Sequence, residues 1–475
     1  MKQEKSSQQG CALPDSPDLG FNQRDLGHGA SETILHPAVM VVMLLTIMLM
    51  LGLPRKYVAV PLLITTFLVP RGQEIYLFGQ HWYMLRILVL VGFLRLAKGG
   101  FKLAGGMNSI DKAFMLWASY RVSAIVLTNW PKGVGEQASF WIQAFGGYFL
   151  LRHLIQDEGD IAWAAKAFAI VTVILGACMF IEHTRNVNIF GYLRGARFIP
   201  EFRNGQVRAQ ATFGHSILAG CFGATLAPLF FWLWKSGKGS ALAAAGMVGS
   251  TVMVLMSASS TPVLALVAGM GALFLWPIRG SMRAVRWGIV ISLAILAAVM
   301  KAPVWFIVAH VNVIGGSSGY DRALLIDVFI RHIKDWWLIG TNQNGSWGYD
   351  MWDLSNQFVA EGETGGMVTF VCFIALISRS FSRLGNMRKL VDRKQGWLLW
   401  SLGAVMLAHI FAYFGAAYWD QTQMWWFAFL AMITAATVGF QNAPSKVEDP
   451  DVKRDRASEP QPEPWLWDRL HSPEA

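Results

Sequence analysis

The sequence predicts an all-α polytopic membrane protein with about twelve or thirteen transmembrane helices and a large external loop before the last three. Hydrophobic residues make up 54% of the 475 residues and charged residues only 15%, whereas an ordinary soluble domain carries about 25% charged residues. Several uncharged apolar stretches approach the ~20 residues that a helix needs to cross a bilayer. Lysine and arginine gather in short segments between these stretches. These observations exclude a soluble enzyme, a DNA-binding domain and a disulfide-rich secreted module.

Thirteen apolar stretches are the candidate membrane spans, as judged by their length and lack of charge. Their approximate limits are 34–53, 56–70, 82–97, 111–129, 138–155, 161–181, 212–234, 240–256, 259–277, 286–308, 364–380, 396–415 and 421–440. The second and third stretches are short, so the number of spans falls to twelve if one of them is re-entrant.

The segments outside these stretches divide the chain further. Residues 1–33 form a polar tail that lacks the pattern of a cleaved signal peptide. Residues 441–475 are rich in proline and charge and are expected to be disordered. Between the tails lies one membrane domain, 34–440, which we expect to be interrupted by two long polar loops at 182–211 and 309–363.

The basic segments set the expected orientation. Segment 379–395 carries six basic residues against one acid, Asp392, and is expected on the cytoplasmic side. Counting spans from there places the other basic segments on the same side: Arg55, Lys56, Arg95, Lys98, Lys102, Lys235, Lys238, Arg279, Arg283 and Arg286. This bias explains the net charge of +10 without a nucleic-acid partner. The same count places both long loops on the outer face.

The first long loop conflicts with this charge rule. It holds five arginines, no lysine and two acids: Arg185, Arg194, Arg197, Arg203, Arg208, Glu182 and Glu201. Arginine is preferred over lysine where a planar fork must hold phosphate or carboxylate. An anionic substrate outside the membrane would explain the exported arginines. The alternative is that one span is miscounted and the loop is cytoplasmic.

The second long loop predicts a helix and an aromatic segment. A Gly/Ser turn at 315–319 precedes an amphipathic stretch, 320–331, whose apolar residues recur at helical spacing. Four tryptophans follow: Trp336, Trp337, Trp347 and Trp352. Such residues either anchor a protein at the bilayer interface or provide flat faces on which sugar rings stack.

Several short motifs, taken in order, resemble a known family. They are RAQATFGH at 208–215, SASSTP at 257–262, YDR at 320–322, LIGT at 338–341 and WGYDMWDLSNQF at 347–358, followed by Gly365-Gly366. Together they resemble the O-antigen ligase and polysaccharide polymerase family of bacterial inner-membrane glycosyltransferases. The resemblance covers roughly 200–380, and the hydrophobic layout of the remainder agrees with it.

The resemblance implies transfer of a glycan from undecaprenyl diphosphate to an acceptor sugar hydroxyl on the periplasmic face of the inner membrane. It implies neither a metal nor a cofactor, and its partners would be the lipid-linked glycan, an acceptor glycan or glycolipid, and a chain-length regulator. Ligases of the family carry a functional histidine just before the final spans, where this chain has Asp353-Leu-Ser-Asn356. A polymerase is therefore favoured, with a ligase acting on the lipid A core as the alternative.

The expected chemistry selects the site residues. A departing diphosphate gains negative charge that fixed cations must stabilise, and external arginines of the family, which Arg208 and Arg322 match by position, bind it. The acceptor hydroxyl must lose a proton, for which Asp353 is preferred over Asp350, Glu361, Glu363, His215, His310 and His332. We expect substrate binding from Arg197, Arg203, His215, Asn356 and Trp352. The structural alternatives are arginines that reach lipid head groups and an ion pair of Arg322 with Asp321 or Asp327.

A function of another class, a polysaccharide transporter or flippase, predicts a different charge pattern. Transporters tend to carry matched halves and charges near the middle of the bilayer. This sequence shows no such doubling, and its charges gather in loops. Arg121, inside the stretch 111–129, is the exception. We expect it to pair with a carboxylate across the bundle or to face a water-filled cavity.

Overall fold

The computed structural model describes residues 33–77, 80–130, 133–310, 319–341, 343–348, 351, 354–419 and 421–439. The predicted tails therefore lie outside the described residues, apart from Thr33. The described chain is almost entirely helical, and its two sheets are each a two-stranded hairpin. The expectation of an all-α fold is confirmed.

Sixteen α-helices are present in the described residues. The first eight are α1 Pro37–Gly52, α2 Arg55–Leu68, α3 Met84–Gly99, α4 Ser109–Thr128, α5 Gly133–Trp141, α6 Gly147–Leu154, α7 Glu158–Arg185 and α8 Ser216–Lys235. The others are α9 Ser240–Met256, α10 Ser260–Phe274, α11 Met282–Val299, α12 Gly319–Arg331, α13 Ile333–Trp336, α14 Gln357–Met387, α15 Arg393–Tyr413 and α16 Gln421–Gly439. Each of the thirteen apolar stretches contains a helix. The amphipathic stretch 320–331 is α12, as predicted.

Among the residues that the structure describes, five helical segments are long and apolar enough to cross a membrane. They are Glu158–Arg185, Ser216–Lys235, Trp276–Val299, Gln357–Met387 and Arg393–Tyr413. The helices α1, α9 and α10 are apolar but shorter. The chain is therefore a helical protein with the segments that a membrane protein needs, while the count of twelve or thirteen spans stays a prediction.

The centre of the bundle is α8, which is buried along most of its length and packs against α9, α10 and α15. Close packing depends on small residues where helices cross. A β-carbon added to Gly176 of α7 would lie 2.9 Å from the carbonyl oxygen of Gly249 in α9. Helices in apolar surroundings associate through such small residues because these allow the backbones to approach closely.

Basic segments gather at one end of the bundle, called here the basic end. Arg55 pairs with Asp160 at 2.7 Å, and Lys238 pairs with Glu158 at 2.7 Å. The opposite end carries the hairpins β1 Glu74–Leu77 with β2 Gln80–Tyr83 and β3 Glu201–Arg203 with β4 Gln206–Arg208, and is called here the hairpin end. The amide of Gly72 donates to the carbonyl oxygen of Gly195 at 2.9 Å and joins the two hairpin regions.

Two predicted loop boundaries are wrong. Glu182 and Arg185 belong to the last turn of α7, and α14 begins at Gln357 rather than at residue 364. Asn356 caps α14, because its side-chain oxygen accepts hydrogen bonds from the amides of Phe358 and Val359 at 2.9 and 3.2 Å. The second long loop is therefore shorter than predicted, because residues 357–363 belong to the first turns of α14.

The Gly365-Gly366 pair breaks α14 instead of opening it. Gly366 has a φ of 71°, and a β-carbon there would lie 2.6 Å from the carbonyl oxygen of Leu338. Segment 337–341 fills the break: the amide of Met367 donates to the carbonyl oxygen of Trp337 at 2.8 Å. The backbone groups freed by the break are thus satisfied by a neighbouring segment.

We expect Gly366→Ala to destabilise the protein by about 1–3 kcal/mol, because alanine is strained at this positive φ and its β-carbon meets Leu338. Thermal unfolding of the purified protein in detergent measures the effect. Gly385→Ala is the matched control, since Gly385 lies in the same helix and a β-carbon there contacts nothing within 4 Å. That change should be neutral or stabilising by up to about 1 kcal/mol. Equal melting temperatures for the two variants would contradict the account.

Candidate functional site

A short irregular segment, residues 209–213, enters the bundle between β4 and α8 and is called here the buried loop. All five of its side chains are buried. The carboxylate of Glu182, itself 0% exposed, accepts hydrogen bonds from the amides of Gln210 and Ala211 at 3.1 and 2.8 Å. Asn188 donates to the carbonyl oxygen of Ala211 at 2.8 Å. Polar backbone in apolar surroundings is stable only with such partners.

Arg208 immediately precedes the buried loop. It is only 3% exposed, and its Nη1 lies 2.5 Å from Oε1 of Glu201, its partner across the β3–β4 hairpin. Its Nε has no hydrogen-bond partner among the described residues. Burial lowers the pKa of Arg208, while the charge of Glu201 opposes that change. The guanidinium is therefore a cation whose burial costs free energy. The carboxylate that pairs with it, Glu201, lies in the adjacent strand of the hairpin.

His215 follows the buried loop and caps α8. Its Nδ1 accepts a hydrogen bond from the amide of Ile217 at 3.2 Å, so the neutral ring carries its proton on Nε2, 3.7 Å from Glu201. Partial burial and then the charge of Arg208 lower the pKa of His215 to about 4, although Glu201 raises it. At neutral pH the ring is an uncharged donor at Nε2 rather than a base.

Four predicted site residues come together here. Arg197, Arg203 and Arg208 all act electrostatically on His215. These three arginines and His215 are called here the arginine cluster. Arg203 is exposed and Arg197 is half-buried, so Arg208 is the buried member.

Arg322, on α12, lies near α8 as well. Its side chain is buried and within electrostatic range of the Cys221 thiol, in the second turn of α8 after His215. Asp327, one of the two acids expected near Arg322, pairs with Arg331 at 2.7 Å and accepts a hydrogen bond from Trp305 at 3.3 Å. Both arginines that match the family by position therefore lie beside the first turns of one helix.

The remaining predicted site residues are placed differently. Asn356 is buried, and its side-chain oxygen is engaged in capping α14. Trp352 and Asp353 lie outside the described residues. Trp336 stacks on Phe329 with ring centroids 4.0 Å apart, and Trp347 stacks on His332 with centroids 5.2 Å apart. These two tryptophans therefore pack inside the loop region.

A cavity of about 400 Å³ is called here the Arg121 cavity, and one of its lining residues, Trp419, packs against Gly214, the neighbour of His215. It is lined by Arg86, Arg121, Phe140, Gln143, Leu354, Gln357, Ala360, Thr364, Ala417, Tyr418, Trp419 and Gln423. Gln143 lies in a π-helical turn, Ile142–Gly146, between α5 and α6. Such turns frequently occur at functional sites.

Arg121 pairs with a carboxylate, as expected, and it also lines this cavity. Its Nη1 lies 3.2 Å from Oε1 of Glu361, which is 0% exposed. Glu361 also accepts hydrogen bonds from Trp117 Nε1 at 2.7 Å and Gln357 Nε2 at 2.6 Å. Three donors therefore hold this carboxylate in place.

Sequence reasoning missed a second buried carboxylate near the cavity. Glu74 is 1% exposed, and its Oε1 lies 3.0 Å from His81 Nδ1. Burial raises the pKa of Glu74, while His81, Arg86 and Arg71 lower it. The short polar gap between two short spans gave no signal for this group, because its partners come together only through the hairpin.

One aromatic wall joins the arginine cluster to the cavity. The guanidinium of Arg71 stacks on Trp419 at 4.0 Å, and Trp419 lines the cavity. Gly214, next to His215, packs against the same ring: a β-carbon there would lie 2.2 Å from Trp419 Cη2. Gly214, which follows the buried loop, thus lies between the two parts of the site.

The chain matches no protein-family model and no curated protein. Within the described ranges, no group of three or more His, Cys, Asp and Glu side chains is arranged to hold a metal ion. The functional conclusion therefore depends on the arrangement of the arginines, amides and aromatic rings.

We expect Glu182→Gln to destabilise the protein by about 1–3 kcal/mol, because an NH2 group replaces one oxygen that accepts a buried amide. Glu158→Gln is a matched control in the same helix, since its pairing with Lys238 is solvent-exposed and such pairs are worth about 0–1 kcal/mol. Thermal unfolding in detergent compares the two. A smaller loss for Glu182→Gln than for the control would contradict the role given to this carboxylate.

Proposed function

We propose that the protein transfers a glycan from undecaprenyl diphosphate to the hydroxyl of an acceptor sugar and so polymerises polysaccharide repeat units. The observation that carries this proposal is the arginine cluster, with its buried Arg208, beside a cavity lined by amides and aromatic rings. The first supplies fixed cations for a diphosphate. The second supplies hydrogen bonds and stacking faces for sugars.

The arginine cluster would act on the leaving group. The acceptor oxygen forms a bond to the anomeric carbon while the bond from that carbon to the phosphate oxygen breaks, and its electron pair stays on the diphosphate. Arg208 and Arg322, with Arg197, Arg203 and the Nε2–H of His215, would stabilise that charge. Glu201 holds Arg208 in the absence of substrate, so phosphate binding would exchange one anion for another.

The proton of the acceptor hydroxyl must go to a base, and the proposal retains Asp353 in that role. Among the described carboxylates, Glu361 is less accessible, because an acceptor hydroxyl would have to share it with Trp117, Arg121 and Gln357. Glu363 is half-buried and accepts only a long hydrogen bond, at 3.4 Å, from Thr364, a cavity-lining residue. Glu363 is the alternative base.

The proposed membrane orientation follows from the difference in charge between the basic end and the hairpin end of the bundle. Basic segments favour the cytoplasmic side of a membrane, so the hairpin end, with the arginine cluster, would face the periplasm. The proposal therefore places the protein in the bacterial inner membrane. Its partners are a lipid-linked glycan, an acceptor glycan and a chain-length regulator.

Two alternative functions are an O-antigen ligase and a polysaccharide transporter. An O-antigen ligase would use the same arginines but a different acceptor, the lipid A core. A polysaccharide transporter is favoured by the break in α14 and by the buried pair Arg121–Glu361, because broken helices and buried charges occur in transporters.

A polymerisation assay distinguishes these functions. Purified protein given only lipid-linked repeat units should produce a ladder of products, whereas a ligase would need a second acceptor. A protein that forms no ladder but moves the lipid-linked repeat across vesicle membranes would be a transporter.

We expect Arg208→Lys to lower the polymerisation rate about 10²-fold or more, the typical effect of losing one oriented donor to a developing charge. Lysine keeps the charge but loses the planar fork. Arg185→Lys is the matched control, since Arg185 is exposed at the end of α7, and it should leave the ladder unchanged. An unchanged ladder with Arg208→Lys would remove Arg208 from the mechanism.

A further inference from the structure

We infer that segment 188–203, called here the apolar lobe, is seated in the head-group layer of the bilayer and binds the phosphates of anionic phospholipids. The lobe follows α7 at the hairpin end and carries Arg197 and Arg203 of the arginine cluster. The inference goes beyond the proposed function, because it assigns a lipid surface to the lobe whatever reaction the protein performs.

The lobe turns large apolar side chains outward. Five of them are at least 40% exposed: Ile189, Tyr192, Phe198, Ile199 and Phe202. The rings of Tyr192 and Phe198 pack edge to face, with centroids 4.8 Å apart. Exposed apolar groups that lie together mark a surface that another molecule or a membrane covers.

Hydrogen bonds to the backbone hold the lobe in this conformation. The amide of Asn188 donates to the carbonyl oxygen of Phe198 at 2.9 Å and closes the base of the lobe. The side chain of Gln73, which is 0% exposed, donates to the carbonyl oxygens of Leu193 and Arg194 at 2.6 and 2.9 Å. The apolar side chains are therefore held outward, and their cover must come from outside the described chain.

The position of the lobe indicates what covers it. The lobe follows the helical segment Glu158–Arg185, which is long and apolar enough to cross a membrane. Exposed residues of this helix recur at helical spacing on one side, which is the side that lipid tails would contact: 173, 174, 177, 180, 181 and 184. The first exposed apolar residue of the lobe, Ile189, comes just beyond this side. A segment at this boundary can bury its apolar side chains about 5–10 Å into the head-group region.

The charge of the lobe complements lipid phosphates. Arg194, Arg197 and Arg203 stand against one acid, Glu201, so segment 188–203 has a net charge of +2. Glu201 pairs with Arg208, which lies outside the lobe. Arg194 and Arg203 are exposed, and an arginine can lay its apolar stem on lipid while its guanidinium reaches a phosphate.

A protein partner matches the lobe less well than a bilayer does. The lobe is shorter than the about 20–30 residues that each side of a stable protein–protein interface contributes. The bilayer also explains why cations and apolar side chains alternate along the lobe, because the head-group layer offers phosphates directly above the lipid tails. If the proposed function holds, this position places Arg197 and Arg203 at the depth of a lipid-linked diphosphate.

A nitroxide spin label on Ile199→Cys tests the inference in the full chain, reconstituted in nanodiscs that contain phosphatidylglycerol. Cys11 and Cys178 are changed to serine in every variant, and the two buried cysteines are kept. The measurement compares how often the label meets oxygen, which dissolves in lipid, and a nickel chelate, which stays in water. Ile181→Cys in α7 and Lys389→Cys in a basic segment are the matched controls, because both side chains are exposed.

We expect the label at Ile199 to meet oxygen more often than the nickel chelate, as the label at Ile181 should, and the label at Lys389 to show the reverse. Melting temperatures show that the variants fold. A label at Ile199 that behaves like the label at Lys389 would place the lobe in water. That result would overturn the inference and leave a protein partner as the cover.

The lipid composition tests the phosphate contact. Replacing phosphatidylglycerol by phosphatidylcholine should lower the ratio of oxygen to nickel contacts at Ile199 by about 2-fold or more, since exposed arginines bind anionic surfaces more strongly. R194Q/R203Q should remove this dependence. R283Q/R286Q is the control, because both arginines are exposed at the start of α11, and it should keep the dependence. Equal ratios in the two lipids, or a dependence that survives R194Q/R203Q, would overturn the assignment of phospholipid phosphates.

These measurements need no substrate, so they are independent of the polymer ladder. A lipid-seated label in a protein that forms no ladder would refute the proposed function alone. A ladder formed by a protein whose label lies in water would refute this inference alone.

Discussion

The carboxylate of Glu182 is the contact on which the site depends. It accepts two backbone amides of a loop that runs through the apolar interior, where no other secondary structure would satisfy them. Arg208 enters the loop and His215 leaves it. Because the loop between them is anchored by one buried acceptor, a cation and a neutral donor are held beside the same helix terminus.

The second constraint is the break in α14. A continuous helix from Gln357 would leave no opening for segment 337–341, whose backbone bonds to both sides of the break. The turns before Gly365 carry Gln357, Glu361 and Thr364 toward Arg121 and the cavity. Two glycines thus allow one helix to serve both the bundle and the site.

Sequence patterns predicted the helices well because long uncharged stretches admit few other structures in a bilayer. The start of α14 was missed because Glu361 and Glu363 interrupt its apolar residues. The groups that pair with Glu361, on Trp117 and Arg121, lie in a distant segment. Glu182 was assigned to a loop for a similar reason, since an acid after an apolar stretch normally marks its end.

Site residues were predictable only in part. Arg197, Arg203 and Arg208 were singled out because their charge conflicts with the orientation rule, and His215 because it ends the motif at 208–215. Arg121 was recognised as unusual, but its partner Glu361 is 240 positions away. Arg71, Arg86 and Glu74 gave no signal, because tertiary contacts rather than a local pattern position them. Arg86 lines the cavity, Arg71 stacks on Trp419 and Glu74 lies near Arg86.

Affinity for undecaprenyl diphosphate in nanodiscs, compared between the wild type and Glu182→Gln below the melting temperature of both, tests the central claim most directly. Glu182 is fully buried behind the loop, so its effect on the ligand must pass through the positions of Arg208 and His215. The account predicts binding that is weaker by about 10-fold, equivalent to about 1.4 kcal/mol. Equal affinity in a folded variant would show that the buried loop does not set the anion site.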